Sequence, residues 1–424
     1  KKTNEKDMKR HYKRHQKDIK KISERYPKSI TRASKRHQKG MEMSSKEVQK
    51  GTLFLGMPLL SKKGINLPTS PIRKLVIFSD QAKAKGIEVL HLNIGQPDIE
   101  APKEAINAVK NSSHKLLPYG SSQGDLTYRQ KLSKYYRKHK INVAPDDIIV
   151  TTGASEALTF VLNSICDSDD EIIIPEPFYA NYNGFASAAS VKVIPVISEF
   201  NNQFQLPSLE NINDKITSKT KAILLCNPSN PTGYVYSMSE ISTLCELAIE
   251  YNIFLIVDEV YREFIHGDVE HYSVLQDPKG AEHTIMIDSV SKRYSLCGAR
   301  VGCIVSKNRE LIKNVLKFAH LRLSPPTYAL IASEAALDAS DSYLENVIAE
   351  YSKRKNVLIE ALEKIPDVKV SRPMGAFYCI VKLPVNDAEA FSKFLLTSHQ
   401  HKGQTVMLAP ATGFYSSPGV GKNQ

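Results

Sequence analysis

Between Asp147 and Ser306 short runs of β-branched and aliphatic residues alternate with longer amphipathic stretches, a pattern that few folds accommodate. Seven runs have strand character: Ile148–Thr152, Glu171–Pro175, Lys192–Ile197, Lys221–Cys226, Ile253–Asp258, Thr284–Asp288 and Val301–Val305. Most are apolar along nearly their whole length, as in strands covered on both faces. Helical patterns lie between several of them, among them Ser155–Cys166 and Ser237–Tyr251. The second opens on Ser237 with Glu240 three positions on, a capping box, and places Ile241, Leu244, Cys245 and Ala248 on one face. The alternation predicts an α/β domain with a mainly parallel sheet and helices on both sides. After Ser306 the pattern turns helical, Pro325-Pro326 separates two helices, and a long helix starts near Ser342. Gly375–Val381 is expected as a strand opening a smaller C-terminal unit. Leu59–Asp98 is expected to have few regular elements and to pack on that unit.

The chain has 424 residues, enough for roughly two or three domains with full cores. No apolar run approaches the ~20 residues of a membrane span, so no membrane partner is expected. Six cysteines without a C-x-x-C pair or a companion His cluster argue against zinc and for reduced thiols in the cytoplasm. The first 56 residues carry 18 Lys and Arg against 6 Asp and Glu, which accounts for the whole net charge of +12. Such an arm can bind an anionic surface or nucleic acid by counterion release, or be a disordered extension. One thin amphipathic stretch ending at Pro27 is too little for a winged helix and linker, so nucleic acid is not the expected partner. Residue 1 is not methionine, and the expected native start is Met57.

One lysine stands apart from the others. Lys292 follows the strand Thr284–Asp288 within Ser289-Val290-Ser291-Lys292-Arg293-Tyr294-Ser295-Leu296-Cys297-Gly298-Ala299-Arg300. Small neighbours allow a cofactor to approach, and a lysine whose pKa is lowered serves as a Schiff-base nucleophile. Arg300, eight positions on, can hold a phosphate. Open α/β sheets bind ligands at the carboxyl ends of their strands, and further candidates fall there. Thr151-Thr152-Gly153-Ala154-Ser155-Glu156 is a strand-to-helix turn that fits either an anion or close packing. Cys226-Asn227-Pro228-Ser229-Asn230-Pro231-Thr232-Gly233 is either a ligand loop presenting Asn230 or a plain turn. Asp258 closes a buried apolar strand and needs a positive partner or several donors; a pyridinium N–H qualifies, with Tyr261 near a phenolic oxygen. A metal is the rival partner, but no His is placed to join it, and none is expected.

These segments together resemble the class I/II aminotransferases, pyridoxal 5'-phosphate (PLP) enzymes of the aspartate aminotransferase fold, over about residues 57–424. The resemblance implies the type I fold of PLP-dependent transferases: a large domain with a mostly parallel seven-stranded sheet and a smaller α/β domain. The implied division is 57–105 as a segment on the small domain, 106–335 as the cofactor domain and 336–424 as the small domain, after the arm 1–56. Lys292 resembles the lysine that binds the cofactor as an imine and shuttles the substrate proton. Asp258 is similar to the partner of the pyridine nitrogen, and Tyr261 and Asn230 to the pair on the ring oxygen. Tyr179 matches the stacking aromatic. Gly153, Ala154, Ser155, Ser289 and Arg300 match the phosphate cup. Tyr119 resembles a tyrosine reaching the neighbouring subunit's phosphate, which implies a homodimer, and Gly95 a glycine touching the substrate.

The implied reaction is amino-group transfer between an L-amino acid and a 2-oxo acid, with aspartate-type substrates as a prior. A C–S β-lyase on the same fold and a non-catalytic PLP-binding regulator using the basic arm are the alternatives. The family places a carboxylate-gripping arginine in a strand after a Gly-rich loop near the C-terminus. Here that loop spans Pro410–Gly421, no arginine follows Arg372, and Arg372 precedes Gly375–Phe377. The expectation is a C-terminally truncated chain that holds cofactor but binds amino acids poorly.

Overall fold

The computed structural model describes residues 58–68, 70 and 73–424. Expectations for the basic arm and for a start at Met57 lie outside them. Described residues from Lys62 onward form one compact unit. Its strands are β1 (Glu88–His91), β2 (Ile148–Thr151), β3 (Glu171–Glu176), β4 (Lys192–Ile197), β5 (Thr220–Cys226), β6 (Phe254–Asp258), β7 (Thr284–Ser289), β8 (Gly302–Val305), β9 (Lys369–Val370), β10 (Val381–Lys382) and β11 (Gln404–Met407). Seven make one sheet in the order β2-β8-β7-β6-β5-β3-β4. All its neighbours pair in parallel except β8, which runs antiparallel to β2 and β7.

Parity along the strands explains the three layers, because successive side chains leave opposite faces of a strand. Ile149, Ile172, Ile174, Ile256, Ile285 and Ile287 pack on helices Gly153–Ile165 and Arg309–Arg322. Their neighbours Val150, Ile173, Leu255, Val257 and Met286 pack on Leu126–Lys138, Met238–Glu250 and Thr327–Ala336. Ser237 caps the helix Met238–Glu250: its Oγ accepts from Glu240 N at 3.2 Å, and its own N–H reaches Glu240 Oε2 at 2.8 Å.

Two expectations need correcting. Leu59–Asp98 contains helices Lys62–Asn66 and Val76–Ala84 as well as β1. β1 pairs in parallel with β11, and Leu75, Ala82, Val89, Leu396 and Met407 form a small separate core. Gly375–Val381 is not a strand; only Val381 enters β10. Its β-prone sequence is overridden by tertiary hydrogen bonds. Met374 and Gly375 N–H groups both donate to Gly233 O at 2.9 Å, Ala376 N donates to Phe264 O at 2.8 Å, and Ala376 takes φ 55°.

Candidate active site

The reversed strand β8 assembles the site. Because it returns antiparallel beside β7, its first residue Gly302 lies level with Ser289 and Thr151, the last residues of β7 and β2. Arg300 is thereby delivered to the carboxyl edge where β5 and β6 also end, Cys226 level with Asp258. A Cβ on Gly302 would lie 2.7 Å from Ala154 N and from the Gly153 carbonyl carbon, so only glycine allows this approach. Gly302 was not singled out in the sequence, where a glycine before a strand carries little signal.

At this edge the start of helix Gly153–Ile165 meets Arg300. Gly153 takes φ 75°, and a Cβ there would lie 2.5 Å from an Arg300 Nη. Arg300 is itself left-handed at φ 56° and donates to Cys297 O at 3.1 Å, holding its guanidinium over the helix start. The first N–H groups of a helix lack intrahelical acceptors, so those near Ala154 and Ser155 can bind an anion. Ser289 Oγ accepts from Ser291 N at 3.1 Å and donates to Val301 O at 2.8 Å, next to Arg300.

Lys292 lies in the short helix Val290–Arg293 and is half-buried. Its Nζ donates to Gly95 O at 2.6 Å and lies 5.8 Å from the centre of the Tyr261 ring. Burial lowers its pKa, and the nearby Arg300 adds to this against the opposing pull of Cys297 and Asp258. A lowered pKa leaves more free amine at neutral pH, the form that attacks a carbonyl. Gly95 is confined as well, since a Cβ there would lie 1.6 Å from Tyr378 Oη.

Asp258 ends β6 inside the protein. Burial raises its carboxyl to about 6, against hydrogen bonds from Tyr182 Oη at 3.0 Å and Val260 N at 3.4 Å. A carboxylate there still favours a cationic N–H partner. Tyr182 was missed in the sequence; its hydroxyl meets Asp258 only across 76 residues. Tyr179 stands edge-on to Tyr182 at 5.4 Å, and its hydroxyl accepts from Asn181 Nδ2 at 2.7 Å. Asn230 is buried on the loop after β5, and Tyr261 Oη bonds Tyr378 Oη at 2.5 Å.

Tyr119 is not brought to this edge by contacts within the chain: it is 81% exposed, beside exposed Leu116 and Leu117. Arg372 turns to Glu363, 2.7 Å away, on the outside of helix Asp341–Glu363. Among the described residues no three His, Cys, Asp or Glu side chains converge as metal ligands, and no helix is long and apolar enough to cross a membrane.

A half-buried lysine with a lowered pKa, a buried acid at a strand end and an arginine-covered helix start suit an aromatic aldehyde bearing a phosphate. The chain belongs to the aminotransferase class I and II family, whose model matches residues 87–404. It is 31% identical to the aspartate aminotransferase of Bacillus subtilis over 85% of this chain and 93% of that one. It is also 31% identical to the (5-formylfuran-3-yl)methyl phosphate transaminase of Methanocaldococcus jannaschii, over 86% and 93%. Among solved structures, the aspartate aminotransferase from Thermus thermophilus with maleate superposes with a TM-score of 0.78 at 27% identity, over 84% of this chain and 93% of that one. Members of the family depend on PLP, and this chain is a PLP-dependent aminotransferase.

Proposed function

We propose that the carboxyl edge of the sheet is the cofactor and substrate site, and that the chain transfers the amino group of an aspartate-type L-amino acid to a 2-oxo acid. When bound, PLP supplies an electron sink for the charge that develops at the substrate Cα. Lys292 Nζ holds the cofactor and afterwards carries the Cα proton. Asp258 keeps the proton on the ring nitrogen, and its buried place at the end of β6, where a carboxylate needs a cationic partner, supports that pairing. Tyr261 and Asn230 bond the ring oxygen, and Tyr179 covers one ring face. Gly153, Ala154, Ser155, Ser289 and Arg300 hold the phosphate, supported by the guanidinium seated over Gly153. Gly95 and Asn230 border the substrate.

The observation that carries this reading is Lys292 Nζ, depressed in pKa and fixed by Gly95 O at 2.6 Å beside the Asp258 strand end. A homodimer in which Tyr119 reaches the partner's phosphate is supported by the exposed Leu116-Leu117-Pro118-Tyr119 stretch. Residues 57–105 on a small domain 336–424, beside a cofactor domain 106–335, are supported by the β1–β11 pairing. Cytoplasmic residence is supported by six free cysteines.

Single-donor half-reactions test the chemistry. With PLP-loaded protein, L-aspartate should bleach the visible band of the lysine-bound cofactor in favour of the near-ultraviolet band of aminated cofactor. Adding 2-oxoglutarate should then restore it. Ammonia release from a cysteine-type substrate without a 2-oxo acid, and no such cycle, would instead identify the lyase.

A further inference from the structure

A buried charge cluster lies directly behind the site and is not part of it. Parity sets it there: in β7 Ser289 shares the cofactor-side face with Ile287, whereas Asp288 shares the opposite face with Met286. On that face Arg293, next to Lys292 and 1% exposed in its side chain, places Nη2 2.5 Å from Asp288 Oδ2 and Nε 2.8 Å from Glu263 Oε1. Tyr136 Oη donates to the same Asp288 oxygen at 2.8 Å. Arg262 extends the cluster, 3.7 Å from Glu263 and 3.6 Å from Glu259.

The membership is informative. Glu259, Arg262 and Glu263 interleave with Asp258 and Tyr261 on one segment; Asp288 and Arg293 bracket Ser289 and Lys292 on another. Each segment therefore turns one set of side chains toward the site and the other into the cluster, and Arg293 joins the two segments. We propose that Arg293 is a positioning residue, whose two-armed ion pair to Asp288 and Glu263 sets where Lys292 stands relative to Asp258 and Tyr261. This deepens the reading above and rests on it.

A guanidinium is suited to the task because its planar fork can face two carboxylates at once: Nη2 donates to Asp288 Oδ2 while Glu263 stands beside Nε as a charge contact, whereas an ammonium offers a point charge. Its face also lies 4.3 Å from the centre of the Tyr135 ring, which limits rotation. Small displacements matter at such a site, since misplacement by about 1 Å can cost on the order of 100-fold in rate.

Arg293→Lys, which preserves the charge, and Arg293→Met test the proposal in the full chain. In cofactor-free protein, hydrogen–deuterium exchange should rise in Arg293→Lys in both segments, 257–264 and 287–297, with other strands unchanged. After PLP loading, the pH midpoint of the visible band should move by about half a unit or more. kcat should fall roughly 10-fold or more while KM stays within about threefold, the pattern of lost alignment. Exchange rising only in 287–297, or a midpoint and kcat that match the unsubstituted protein, would overturn the proposal. Should Arg293→Met not fold, Arg293→Lys decides alone. A visible band absent from the unsubstituted protein refutes the cofactor site itself, and the paired exchange response still reads the link between the segments.

Discussion

Lys292→Ala is expected to remove the visible band of the PLP-loaded protein and to lower kcat by on the order of 10⁴-fold, because one amine is both the covalent anchor and the proton carrier. The fold should tolerate the change. Among the described residues Lys292 Nζ has two hydrogen-bond acceptors, Gly95 O at 2.6 Å and the weak Cys297 Sγ at 3.9 Å. Losing such a bond costs about 1 kcal/mol in stability. An ordinary thermal midpoint together with a colourless protein is thus the expected pair of results. Retention of both band and turnover would place the reactive amine elsewhere.

Asp258→Asn should have the second largest effect, and in opposite directions for activity and stability. Asn preserves the shape with one acceptor oxygen in place of two: its Oδ1 can accept from Val260 N while its Nδ2 donates to the Tyr182 hydroxyl, but it cannot hold a proton on a ring nitrogen. kcat should fall roughly 10²–10³-fold, the scale for losing one preorganised electrostatic contact. Stability follows from linkage. Burial raises the folded carboxyl from 3.8 to about 6. Below pH ~4 it is protonated folded and unfolded, so it adds no pH-dependent term. As pH rises from there to about 6, the unfolded chain releases its proton more readily, and folding loses free energy. Above that the loss is constant, on the order of 2–3 kcal/mol. Cofactor-free Asp258→Asn should therefore unfold at a higher temperature than the unsubstituted protein at pH 8, with the gap closing toward pH 4. Equal midpoints at both pH values would mean that Tyr182 and Val260 already satisfy the carboxylate.

Much of the fold was legible because both-face burial writes itself into consecutive apolar residues. All seven sheet strands lie within a residue or so of the runs read from the sequence, β5 from Thr220 to Cys226 being typical. The site edge was legible for a related reason, since Lys292, Asp258 and Gly153 stand just where apolar strands stop. Residues whose roles depend on distant partners were not. Tyr378 meets Tyr261 across 117 residues, and nothing near it in sequence marks that pairing. Arg293 looks like a surface arginine until Asp288 and Glu263 are placed around it. Gly375–Ile380 failed in the other direction, because its aromatic and β-branched residues promise a strand that bonds to Gly233 and Phe264 prevent.

Reducing the PLP-loaded protein with borohydride and mapping its peptides by mass tests the central claim most directly. The account predicts a single pyridoxyl adduct, on Lys292, that disappears when an amino donor is added before reduction. An adduct on another lysine, or none on Lys292 in protein that binds PLP stoichiometrically, would contradict it.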